Sequence, residues 1–168
     1  MIPFIDLKAQ YKILKEDIDQ RIHKVLDHGM YVMGPEVKEC EAELAKFTGS
    51  PHAFACSSGT DALIIALMAG GIKPGDEVIT TSFSFIATAE TIILTGAVPV
   101  YVDIEADTYN IDPTKIEAAI TDKTRWLILN SPSNPTGAAY TADELKALGA
   151  VLDKHEHVMI LSDDIYEH

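Results

Sequence analysis

A chain of 168 residues, nearly half of them apolar, is long enough for one globular domain with a true core and slightly short for two. Its formal charge of −13, with no basic cluster to offset it, excludes nucleic acid and anionic membrane surfaces as expected partners. Cys40 and Cys56 have neither the spacing of a zinc site nor the density of a disulfide framework, so reduced thiols in a cytoplasmic protein without a metal are expected.

The opening stretch "MIPFIDLKAQYK" has no basic flank ahead of an apolar run, and no processing is expected there. Apolar residues at Leu7, Tyr11, Leu14, Ile18, Ile22 and Val25 recur at steps of three and four before Gly29, which predicts an amphipathic helix over roughly 7–28. A second helix follows Gly34-Pro35, with Val37, Cys40, Leu44 and Phe47 on one face and Gly49 as its stop. From His52 the rhythm changes to short apolar runs separated by helices. Strands are predicted at 53–57, 77–81, 98–103, 124–129 and 158–163. Helices are predicted near 60–70, 85–95, 113–120 and 142–154, the last begun by the capping box of Thr141 and Glu144. The most apolar stretch, "ALIIALMAGGI", is about half of the ~20 residues a membrane span requires, so a soluble protein is expected. Strands alternating with helices of this size imply an α/β fold: a three-layer sandwich with a mainly parallel sheet of about five strands and helices on both faces. One domain over 1–168 is expected, with N-terminal helices over 1–50 and the sheet within 51–168.

In such sheets ligands sit beyond the C-terminal ends of the strands. The first end reads "CSSGTDAL": backbone N–H groups at the start of the following helix favour an anion, and Gly59 lets it approach. An ordinary Ser/Thr cap with a packing glycine is the plainer explanation of that segment alone. The second end carries Phe83 and Phe85, which could lie on a planar ligand or pack in the core. In "NSPSNPTG", Asn134 could donate to a ligand oxygen or cap a rigid turn. The last end, "LSDDIYEH", offers Asp163 to a protonated ring nitrogen and Tyr166 to a neighbouring hydroxyl, or is merely a charged strand terminus. Together, a phosphate cradle, an aromatic plate, an amide, a carboxylate and a phenol on one sheet match pyridoxal 5'-phosphate, whose ring nitrogen an Asp keeps protonated.

Residues 1 to about 120 resemble the DegT/DnrJ/EryC1/StrS sugar aminotransferases through "IPFIDLKAQY", "GPEVKECEAELAKFTG", "CSSGTDALIIAL", "PGDEVITTSFSFIATAE" and "GAVPVYVDIEADTYNIDP". Residues from about 121 resemble another branch of the fold-type-I superfamily, the class I aspartate-type aminotransferases, through "LILNSPSNPTG" and "LSDDIYEH". The double resemblance implies an engineered chimera joined near Ile120 to Thr124. The first resemblance implies that Gly59 and Thr60 bind the cofactor phosphate and that Phe85 stacks on the pyridine ring. The second implies that Asn134 and Tyr166 contact the ring hydroxyl and Asp163 the ring nitrogen; Asp164 has no matching role.

Both branches use a lysine whose amine condenses with the cofactor aldehyde, and the resemblance places this Schiff-base lysine beyond His168, so no catalytic residue is expected here. The implied function is a large-domain fragment of a nucleotide-sugar aminotransferase, binding its cofactor noncovalently with little or no turnover. The alternative is a non-catalytic α/β domain assembled from aminotransferase segments. A Rossmann-like nucleotide binder is a weaker reading, because Gly-x-Gly-x-x-Gly is absent. In the parent fold two further strands separate 53–57 from 158–163. Direct pairing of those two is expected to close the gap, in the order 3-2-4-5-1; a homo-oligomer is the other way to satisfy the open edges.

Overall fold

The computed structural model of the chain describes residues 5–164. The chain divides into two compact units, Met1–Ala55 and Cys56–His168. In the first, helix α1 (Leu7–His28) starts where the Asp6 side chain accepts from the Ala9 N–H at 2.9 Å and stops at Gly29, whose φ of 68° is open to glycine. Helix α2 (Pro35–Thr48) begins with proline at its first position, where the missing N–H costs no helix bond. Arg21 of α1 grips Glu39 of α2 through both carboxylate oxygens at 3.2 Å, and Lys24 and His28 both reach Glu36 at 3.1 Å.

The second unit runs α3 (Gly59–Ala69), β1 (Glu77–Thr81), α4 (Ile86–Leu94), β2 (Val98–Val102), α5 (Pro113–Ala119), β3 (Thr124–Asn130), α6 (Ala142–Leu152) and β4 (Met159–Asp163). Its sheet is wholly parallel, in the order β2-β1-β3-β4. The period-two alternation of strand side chains splits the core into two layers. Ile79, Leu127 and Leu129 face one way and pack with Ile116 of α5 and with Leu148 and Leu152 of α6. Val78, Trp126 and Ile128 face the other way and pack with Leu67 of α3 and Ile92 of α4. Ile79, Leu67, Ile92, Ile116 and Leu127 have no exposed surface, and each such side chain contributes about 1.5–3 kcal/mol relative to leaving it in water. The step from β1 to β2 runs to one side of β1 and the later steps to the other. Crossovers of one hand therefore put α4 on one face and α5 and α6 on the opposite face. This is the α/β architecture with helices on both faces that the alternation implied.

Among the described residues the sheet has four strands rather than five. Residues 53–57 form no strand, and Phe54 is 84 % exposed. The pairing of 53–57 with 158–163 is therefore not made, and the order reduces to the four remaining strands. The reason is physical: a five-residue apolar run holds a strand geometry only when a neighbouring ladder takes its N–H and C=O groups. Here the Ala55 N–H is taken instead by the Glu41 carboxylate of α2, at 2.9 Å.

Candidate functional site

The first turn of α3 supplies the anion-seeking part of the site. Ser58 caps the helix, its hydroxyl accepting from the Asp61 N–H at 3.1 Å. The N–H groups of Gly59 and Thr60 belong to the first turn, which has no intrahelical acceptors. A Cβ built on Gly59 meets nothing within 4 Å, and its φ is not in the left-handed region. Neither packing nor backbone demands glycine there; what it does is leave space at the helix end. The hydroxyls of Ser57 and Ser58 both donate to the Asp61 carboxylate, which holds Asp61 below the usual carboxylate range.

Three strand ends converge on that turn. Phe85 stands at the N-cap position of α4, in extended backbone and 58 % exposed. Asn130 closes β3, and the turn after it carries Asn134, with cis peptides before Pro132 and Pro135. Asp163 closes β4. Its carboxyl is pushed above its ordinary range, first by burial and then by the neighbouring charge of Asp164. Among the described residues no cation pairs with Asp163; its carbonyl accepts from the Ser131 N–H at 3.2 Å and the Asn130 side-chain amide at 3.0 Å.

Gly59, Thr60, Phe85, Asn134 and Asp163 line a single cavity of about 210 Å³, together with Leu63, Ala87, Thr88 and Asn130. Five of the six residues singled out in the sequence thus meet across four segments of chain; the sixth, Tyr166, lies outside the described residues. Phe83 does not line the cavity but tilts against Tyr109, with ring centroids 4.9 Å apart. Sequence reasoning missed Asn130 and Thr88, whose identities alone carry no motif. No lysine or arginine lines the cavity among the described residues. Nor do three or more His, Cys, Asp or Glu residues gather there in a way that could hold a metal. At 210 Å³ the cavity is below the ~300 Å³ at which drug-sized ligand pockets begin, so it suits a small flat molecule.

The donor set fits a phosphorylated pyridine. The helix end takes an anion, the unpaired carboxyl at the opposite strand end calls for a cationic N–H, and an aromatic ring and an amide lie between them. No helix among the described residues is long and apolar enough to cross a membrane.

Comparison with known proteins finds relatives in both sequence and fold. The model of the DegT/DnrJ/EryC1/StrS aminotransferase family matches residues 12–163, running straight through the junction placed near Ile120 to Thr124. The chain is 50% identical over 150 residues to the UDP-2-acetamido-2-deoxy-3-oxo-D-glucuronate aminotransferase of Pseudomonas aeruginosa, a match spanning 89% of this chain and 41% of that protein. Among solved structures, DesV of S. venezuelae, in complex with a ketimine intermediate, superposes with a TM-score of 0.83 at 40% identity, over 96% of this chain and 42% of that one. NtdA from Bacillus subtilis, with bound cofactor PMP, also gives a TM-score of 0.83, at 32% identity, over 96% of this chain and 36% of that one. The chain therefore spans about two fifths of the length of such relatives. Through a family match over residues 12–163 and this shared fold, the chain belongs to the DegT/DnrJ/EryC1/StrS aminotransferase family.

Proposed function

We propose that the chain forms the phosphate- and ring-binding part of a pyridoxal 5'-phosphate site in a nucleotide-sugar aminotransferase. The observation that carries this reading is the convergence of Gly59, Thr60, Phe85, Asn134 and Asp163 on one cavity. In it, the free N–H groups of Gly59 and Thr60 bind the phosphate, aided by the dipole of α3. Phe85 covers one face of the ring. Asn134, joined by Tyr166, donates to the ring hydroxyl. Asp163 holds a proton on the ring nitrogen, and that pairing relieves the unfavourable burial of its own charge. When bound, the cofactor supplies the electron sink needed to exchange an amino group for a keto oxygen.

Because no lysine lines the cavity among the described residues, the 168-residue chain is proposed to hold the cofactor noncovalently, with little or no turnover. The two cysteines, both unpaired and exposed, support placing it in the cytoplasm. The alternative of a non-catalytic engineered chimera is not favoured, since one family model spans residues 12–163, on both sides of the expected junction.

The test is an absorbance titration of the chain with pyridoxal 5'-phosphate, followed by borohydride reduction and peptide mapping. We expect a saturable spectral change that Asp163→Ala weakens, and only scattered adducts on surface lysines. A wild-type chain that takes up no cofactor overturns the binding role. One dominant modified lysine overturns its noncovalent character.

A further inference from the structure

We propose that Asn130 is the positioning residue of this site: its buried side-chain amide clamps together the two backbone segments that present Asn134 and Asp163. The proposal rests on the cofactor reading for its purpose, but the clamp itself is a matter of geometry. Asn130 is 8 % exposed and stands at the C-terminal end of β3. Its Oδ1 accepts from the Asn134 N–H at 2.6 Å, and its Nδ2 donates to the Asp163 carbonyl at 3.0 Å. One side chain thus spans from the turn after β3 to the tip of β4, and itself lines the cavity between them. The Ser131 N–H adds a second bond to the same Asp163 carbonyl, at 3.2 Å, so the β4 tip is held from the last residue of β3 and from the residue after it.

The residue type follows from the task. The position needs one donor and one acceptor on a short planar group, which only an asparagine provides at this reach. Aspartate has the same shape but no donor. It would set a carboxylate against the Asp163 carbonyl and add a like charge beside a carboxyl already disfavoured by burial. Alanine keeps neither bond and leaves the Asn134 N–H without its acceptor.

These two variants separate a clamp from a generic core contact. In Asn130→Ala the amide hydrogen of Asn134 should exchange about tenfold faster than in the wild type, whereas in Asn130→Asp, which keeps the acceptor, its protection should persist. The NMR shift of the Asp163 carbonyl carbon should move in both, because both lose the Nδ2 donor. Affinity for pyridoxal 5'-phosphate should fall about tenfold or more in both variants, by more than the accompanying fall in the urea midpoint accounts for. The proposal is overturned if Asn134 exchange is the same in wild type and Asn130→Ala, if the Asp163 carbonyl signal does not move, or if affinity falls only in step with global stability. A wild-type chain that binds no cofactor overturns the cofactor reading instead; the exchange and carbonyl measurements then decide the clamp without it.

Discussion

Asp163 is partly buried at the tip of β4, and burial followed by the charge of Asp164 raises its pKa. A carboxyl whose folded pKa lies above its unfolded value of about 3.9 destabilises the fold when ionised. The penalty is absent below the unfolded value, grows as pH rises towards the folded one, and is complete above it. Asp163→Asn should therefore make the chain more stable near pH 7, by under about 1 kcal/mol because partial exposure screens the charge, and give no gain near pH 3. Urea unfolding at the two pH values checks this; an equal gain at both would mean that packing, not charge, is responsible. At this scale the sequence was informative where a residue type has few uses at a strand end: Gly59, Thr60, Phe85, Asn134 and Asp163 all reach one cavity. Asn130 was not legible, because its role lies in a bond to a residue 33 positions away, which no local pattern encodes.

Helices α1, α2, α5 and α6 begin and end close to where their caps and periodicities placed them, since those signals are local chemistry. Strand 53–57 failed for the complementary reason: a strand is stabilised by its neighbour, and the neighbour is not written in the run itself. The same contrast separates two glycines. At the end of α3, a Cβ on Gly70 would come within 2.0 Å of Trp126 Cζ2, whereas Gly149, inside α6, has nothing within 4 Å. Gly70→Ala should cost about 1–3 kcal/mol by forcing the buried indole of β3 aside. Gly149→Ala should stabilise by about 0.5–1 kcal/mol through helix propensity alone. Thermal unfolding of both variants checks the pair, and a neutral Gly70→Ala would show that the α3–β3 contact gives way more easily than its geometry implies.

Across the whole molecule, β2 and β4 are the outer strands of the sheet, and among the described residues neither has a partner on its outer side. Ile160 and Met159 of β4 are 52% and 40% exposed, an apolar edge that favours pairing between copies of the 168-residue chain. The net charge of −13 opposes such contact, and salt screens that repulsion. Sedimentation should show association that grows with concentration and with salt, and Ile160→Lys should suppress it; association untouched by that substitution would place the contact elsewhere. The parallel direction of β1 to β4 was legible in their helical spacers and their order only through the family resemblance, while the fate of the first apolar run was not legible.

That order also has a kinetic meaning. β1 is interior, β2 docks on one side of it, β3 on the other, and β4 beyond β3. Taken in chain order, every strand adds to an edge that is still open, so none has to be threaded between two already joined. The longest loop to close within the sheet is that between β1 and β3, where the Thr121 hydroxyl donates to the Glu77 carboxylate at 2.6 Å across 44 residues of chain, so loop-closure entropy weighs most on this step. Once that clasp forms, the sheet can grow outward by accretion as β4 emerges. The cavity is completed only at this last addition, which brings Asp163 to a site whose other walls are already standing.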